Sequence, residues 1–360
     1  MTSDSEILCA LLRSAMWRQP YSSMDAMKGI SSEQWQRIYA LSVNQGVLAL
    51  ALDGVMRLPK EKQPSFDIRI KWGYNAEVTA KKYNVQKATA EKLAAIFAEN
   101  GIRTMVLKGL GLSLYYPRPQ LRPFGDIDIY LFDKFDEGNR IMDKYGCNVD
   151  DSYYRHYEFG FGGFNIENHS CFVETRINDT NKYIENQLQS MVAGTRSDPS
   201  LAGILLPSPD FNALFLARHA SWHFARESIR LRDLCDWALF LNAEIGNIDM
   251  GRYMEQLRKS GLDRFVSIMT DISKDKLGLD VNLPYSQHHP ELCERVFDDI
   301  INFRKPKLKD VGPVMRFVRK LRMRIRRKWC YDLVVPDSFY GNTLHSVFNY
   351  VKHPKSIFKK

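Results

Sequence analysis

Apolar residues recur at helical spacing over the first hundred positions. In SSEQWQRIYALSVNQGVLALALDGVM, Trp35, Ile38, Tyr39, Leu41 and Val43 follow the 3.6-residue period. A capping signal precedes them at Ser32, with Glu33 and Gln34 in the first turn. A longer helix is predicted over about 66–100, rich in Ala, Lys, Glu and Gln. Asn100-Gly101 stops it, because glycine takes the left-handed conformation without a Cβ penalty.

The period changes after Gly101. IRTMVLKG reads as a short strand ending in glycine, and GLGLSLYY as a short helix ended by Pro117. PRPQLRP is a proline-punctuated loop. GDIDIYLF alternates strictly, with Ile127, Ile129 and Leu131 on one face and Asp126, Asp128 and Tyr130 on the other. DKFDEGNRIMDKYG reads as a helix. YEFGFGGFNI and HSCFVETRIN read as two more strands, joined in a hairpin around Glu167-Asn168. From Pro207 helical periodicity returns, through SPDFNALFLARHASWHFARES, RLRDLCDWALFLNAE, GRYMEQLRKSGL and ELCERVFDDIINF. KDVGPVMRFVRKLRMRIRRKWC predicts a basic amphipathic helix with Val314, Phe317, Val318, Leu321 and Ile325 on one stripe. The expected class is α/β (α+β): a helical region over 1–100, a small mixed-sheet core of about four strands over 101–185, helices over 186–303, and a basic tail over 304–360.

Composition narrows the functional classes. With 360 residues, 44% of them hydrophobic, the chain can build one large domain or two ordinary ones. Its six cysteines are scattered without a C-x-x-C pair, which argues against a disulfide framework or zinc module and fits a reducing compartment. The N-terminal stretch does not read as a secretory signal, and no apolar run is long enough to span a bilayer, so a cytoplasmic location is expected. The net charge of +9 is uneven: residues 304–360 carry sixteen Lys and Arg against three acids, so the remainder is net acidic. A solvated basic face is the default reading of that tail. An anionic membrane surface or a polyanion is the sharper alternative. No obligate protein partner is readable.

The alternating strand raises a chemical question, since a buried carboxylate is costly unless paired or metal-bound. Asp126 and Asp128 project from the same strand face, about 7 Å apart. A divalent cation removes their repulsion, and oxygen-only ligands suit Mg²⁺ or Mn²⁺. Glu174 in CFVETRI is the candidate third carboxylate if its strand pairs beside GDIDIYL. Glu158 and Glu167 are the alternatives. Three such carboxylates can hold metal ions around a phosphate undergoing in-line displacement.

VLKGLGLSLYY, RPFGDIDIYL, VETRI, ARHASWHFA and RLRDLCDWALFL together resemble the uncharacterised nucleotidyltransferase family, over roughly residues 30–260. That family is similar in fold to DNA polymerase β and to aminoglycoside nucleotidyltransferases. The resemblance implies a Mg²⁺-dependent enzyme that moves a nucleoside monophosphate from an NTP, ATP above all, to an acceptor and releases pyrophosphate. It implies that Asp126, Asp128 and Glu174 are the catalytic metal ligands, and that Lys108 and Gly109 approach the phosphates. Asp236 matches the family's helical aspartate, placed to position nucleotide or to hold an arginine across the cleft. Arg122 is a further phosphate-clamp candidate. Two departures stand out: the turn reads Lys-Gly where the wider superfamily has Gly-Gly or Gly-Ser, and Glu174 is not followed by the histidine that the family's third strand often carries. A degenerate nucleotide- or partner-binding protein is therefore the alternative, followed by a nucleic-acid binder acting through the tail. His219 and His223 share a helix face, but no third ligand makes zinc the preferred reading there.

Overall fold

The computed structural model describes residues 2–19, 27, 29–284, 288–304 and 312–334. The rest of the basic tail, residues 305–311 and 335–360, lies outside the described residues. The N-terminal region folds as α1 (Asp4–Trp17), α2 (Ser32–Asn44), α3 (Leu48–Arg57) and the long α4 (Phe66–Glu99). Ser31, not Ser32, caps α2 by accepting from the Gln34 N–H at 3.2 Å. The predicted run through GVLALAL is broken between α2 and α3, where Gly46 takes φ +67°.

The centre is a six-stranded mixed sheet in the order β3-β4-β2-β1-β6-β5. Its strands are β1 (Thr104–Leu107), β2 (Ile127–Tyr130), β3 (His156–Phe161), β4 (Phe164–His169), β5 (Arg196–Ser197) and β6 (Ile204–Leu206). Helices α5 (Gly109–Ser113) and α6 (Phe135–Lys144) follow β1 and β2, and α7 (Asp179–Met191) precedes β5. The sheet is larger than four strands because β6 and β5 lie beyond residue 185: β6 pairs parallel with β1, and β5 antiparallel with β6.

Two expectations about the middle strands are corrected. The hairpin turns at Gly162-Gly163, not at Glu167-Asn168. Both glycines have positive φ, +58° and +82°, as a two-residue turn matching strand twist demands, and Phe161 pairs with Phe164 across it. CFVETRI is not a strand. The Phe172 and Val173 N–H groups donate to the Glu185 carboxylate on α7 at 2.8 and 3.0 Å, and the Glu174 carbonyl accepts from Asn181 Nδ2 at 2.6 Å. Side chains thus take the backbone groups that a sheet ladder would need.

The C-terminal helices are α8 (Pro209–Glu227), α9 (Leu231–Glu244), α10 (Met250–Ser260), α11 (Asp263–Leu277), α12 (Pro290–Asn302), α13 (Pro313–Arg326) and α14 (Lys328–Val334). One core joins N- and C-terminal helices, including Leu8, Leu12, Trp72, Phe224, Trp237 and Phe265. A second lies between α4 and the sheet, around Leu93, Phe97, Val106, Ile129 and Ile166. On α13, Val318 and Ile325 of the predicted stripe are exposed. Arg327, just beyond it, is buried: it pairs with Asp299 and donates to the Phe224 and Ala225 carbonyls, so it docks the last helix. No described helix is long and apolar enough to cross a membrane.

Candidate active site

A cleft of about 520 Å³ opens between the β1–α5 turn, the loop entering β2, and the helices α8 and α9. Lys108, Gly109, Asp126 and Asp128 line one wall. His219, His223, Arg232 and Asp236 line the other. The first wall is built by local geometry. Lys108 ends β1 with φ 49° and ψ −129°, in backbone territory that favours glycine. The strained position is therefore the lysine, not Gly109, where an added Cβ would stand 3.4 Å from the Phe124 ring. The sharp turn folds the Lys108 side chain back onto Asp128, with Nζ 2.9 Å from Oδ1.

Gln86 of α4, fully buried, donates to the Gly125 carbonyl at 2.7 Å and fixes the chain just before Asp126. Asp126 then sits at the exposed rim and Asp128 two residues deeper, 5% exposed. Because β2 runs parallel to β4, Asp128 stands opposite Glu167, and Tyr130 opposite His169. His169 Nε2 bridges the two acids, 3.1 Å from Asp128 Oδ1 and 3.5 Å from Glu167 Oε2. Glu167 is thus the carboxylate that the fold brings to the aspartate pair. Glu174 lies elsewhere, in the segment after β4, where it accepts from the Tyr153 and Tyr154 hydroxyls.

Electrostatics follow the crowding. Partial burial, then repulsion from Asp128 and Glu167, raises the Asp126 carboxyl above the usual carboxylate range. Burial would raise Asp128 too, but the Lys108 ammonium and His169 hold it far below. Burial opposes charge on His169, yet the hydrogen bond to Asp128 and the nearby Glu167 carboxylate raise it above the ordinary histidine value. The cluster carries more negative charge than one lysine and one imidazolium balance, so the three-carboxylate donor set fits a hard divalent cation.

Arg122 is not free to clamp phosphate with its full fork. Its Nε and Nη2 donate to Asp236 Oδ1 and Oδ2, both at 2.7 Å, in a buried bidentate pair, and the Tyr116 hydroxyl donates to the same Oδ1 at 2.8 Å. Of the Arg122 guanidinium nitrogens, Nη1 is buried without a hydrogen-bond partner among the described residues. The pair ties α9 to the loop that delivers β2.

His219 faces the cleft from α8. Burial, reinforced by Lys108 and His223, pushes it well below the ordinary histidine value. Its folded form is neutral, so unfolding takes up a proton below the unperturbed pKa of about 6.5 and stability falls as pH drops through that range. His219→Gln is expected to flatten this acid loss between about pH 7.5 and 5. Urea midpoints at the two pH values check it, and an equal drop in both proteins would refute it.

A family model described as an uncharacterised nucleotidyltransferase matches residues 31–278. The chain belongs to that family. The match covers more than half the sequence and takes in the sheet, the two cleft walls described above and helices α8 to α11. Neither curated proteins nor solved structures yielded a match. Sequence reasoning kept Glu167 only as an alternative. Two signals favoured it: the Gly-Gly turn, which centres Glu167 in a strand, and Glu167-Asn168-His169, an acid followed two places on by histidine.

Proposed function

We propose that this family member transfers a nucleoside monophosphate from an NTP to an acceptor, using Mg²⁺ or Mn²⁺ held by Asp126, Asp128 and Glu167. The observation that carries the reading is the parallel pairing of β2 and β4. It sets Glu167 across from Asp128 on the strand flanked by the Lys108-Gly109 turn. Bound there, the cation would gather carboxylate and phosphate oxygens and offset the charge that develops on them. Lys108, 2.9 Å from Asp128 at the end of β1, would be available to a phosphate oxygen if that carboxylate were shared with a cation. The acceptor oxygen attacks the α-phosphorus, the bond to the bridging oxygen breaks, and pyrophosphate leaves. The acceptor's proton passes to water at the open rim. Asp236 contributes by fixing Arg122 beside the cleft. ATP is the first nucleotide to try, and a cytoplasmic setting remains the expectation for its supply.

The test uses α-labelled NTPs with Mg²⁺, the full chain and a fractionated cell extract, beside calorimetric binding of an α,β-non-hydrolysable analogue. Label should enter a fraction, and Glu167→Gln should lower its rate by about 10²-fold or more, while Glu174→Gln should change it less than about threefold. Mg²⁺-dependent binding without transfer into any fraction would favour the nucleotide-binding alternative. A larger loss in Glu174→Gln than in Glu167→Gln would overturn the ligand assignment.

A further inference from the structure

Beneath the carboxylate row, the sheet face carries a second row that nucleotide chemistry does not use. Across β2, β4 and β3, Asp128, Glu167 and Glu158 are in register, and one step deeper so are Tyr130, His169 and His156. His156 and His169 are buried, 6% and 2% exposed. Glu167 Oε2 lies 3.5 Å from His169 Nε2 and 3.8 Å from His156 Nδ1, and the three ligand atoms lie within 4.8 Å of one another.

These separations are long for a hydrogen-bonded network. Among the described residues His156 Nδ1 is buried with no hydrogen-bond partner, the Glu167 carboxylate 3.8 Å away being too far to accept from it. They suit donors around one ion instead: metal–ligand bonds of about 2.0–2.2 Å in tetrahedral array put neighbouring donor atoms about 3.3–3.6 Å apart. The other nitrogen of His156 is already committed. Its Nε2 meets Glu158 Oε1 at 3.2 Å, and Asn165 Nδ2 donates to that same carboxylate at 3.4 Å. A carboxylate on one ring nitrogen, with the other aimed at a cluster of donors, is how metal-binding histidines are oriented. With Asp128 Oδ1 3.1 Å from His169 Nε2, the open side of the cluster faces the cleft's buried aspartate.

We infer that His156, Glu167 and His169 form a transition-metal site, oriented by Glu158 and bordered by Asp128. Two imidazole nitrogens select a borderline ion such as Zn²⁺, Co²⁺ or Ni²⁺ over Mg²⁺, which prefers oxygen alone. The site shares Glu167 with the proposed transfer site, but it is tested without nucleotide and by preference for a transition metal over Mg²⁺, so its failure and the failure of the transfer reading are distinguishable.

The test adds Co²⁺ to the full chain after chelator treatment, with no nucleotide present. The expected result is the intense visible absorption of nitrogen-ligated, low-coordinate Co²⁺, saturating at a single equivalent, removed by Zn²⁺ but not by excess Mg²⁺. Asp126→Asn should leave this signal intact. Glu158→Gln, which removes no ligand, should weaken Co²⁺ binding about 10–100-fold, and His156→Ala by at least that much. Absence of the absorption, its equal displacement by Mg²⁺, or wild-type Co²⁺ affinity in Glu158→Gln would overturn the site. The Glu158 variant keeps side-chain volume, so it decides the matter even if His156→Ala fails to fold.

Discussion

Asp128→Asn is expected to reduce nucleotidyl transfer by about 10³-fold or more, the scale on which loss of a preorganised charge-stabilising group is felt. Asp128 is the only one of the three proposed ligands engaged by both Lys108 and His169. The isosteric amide keeps its volume and the strand, but it removes the charge that the cation and the lysine share. Stability should respond differently. In the variant the Lys108 ammonium, 2.9 Å from that position, loses its counter-charge, as does His169. Asp128 is held far below the usual carboxylate range, so its ionised form stabilises the fold at neutral pH, and that contribution fades as pH falls through its lowered value. The variant should therefore lose stability at pH 7 and approach wild type in strong acid. Label transfer and urea midpoints measure the two effects separately. Transfer within tenfold of wild type would remove Asp128 from the machinery.

Arg122→Ala is expected to destabilise the protein by about 3–5 kcal/mol, the cost of leaving a buried ion-pair partner uncompensated. Asp236, buried on α9, would keep only the Tyr116 hydroxyl. The mechanism predicts a rescue: a paired Arg122→Met, Asp236→Leu protein should recover most of the loss, because replacing both charges by apolar groups removes the desolvation penalty as well as the attraction. Activity should not be rescued, since α9 would no longer be tied to the loop entering β2 through a directional contact. Urea denaturation reads the first effect, and label transfer the second. A single-mutant loss below about 1 kcal/mol would mean the pair is worth no more than an exposed one.

Much of the architecture is local in origin. The span of α4 follows from good helix formers and the Asn100-Gly101 stop. The common face of Asp126 and Asp128 follows from strand alternation, which needs no partner to be read. The Lys-Gly turn after β1 was visible as a strand running into glycine. Apart from the Ser31 cap and the Gly162-Gly163 turn, what escaped local reasoning was a pairing. HSCFVETRIN has a strand's composition, yet Glu185, from a helix later in the chain, takes its amides. Residues 204–206 are a strand through their parallel pairing with β1, and 196–197 through theirs with 204–206.

The site divides the same way. Sequence by itself determined the chemistry available: two aspartates on one face, a lysine at the turn, a helical aspartate, and several acids and histidines nearby. Tertiary structure decided which of them meet. It chose Glu167 over Glu174 by parallel registry, committed Arg122 to Asp236, and set His169 between two acids with His156 behind it. The reason is physical. Side-chain direction repeats within a strand or helix and can be counted along the chain, whereas registry between strands and burial of charge depend on segments far apart in sequence, and so belong to the fold as a whole.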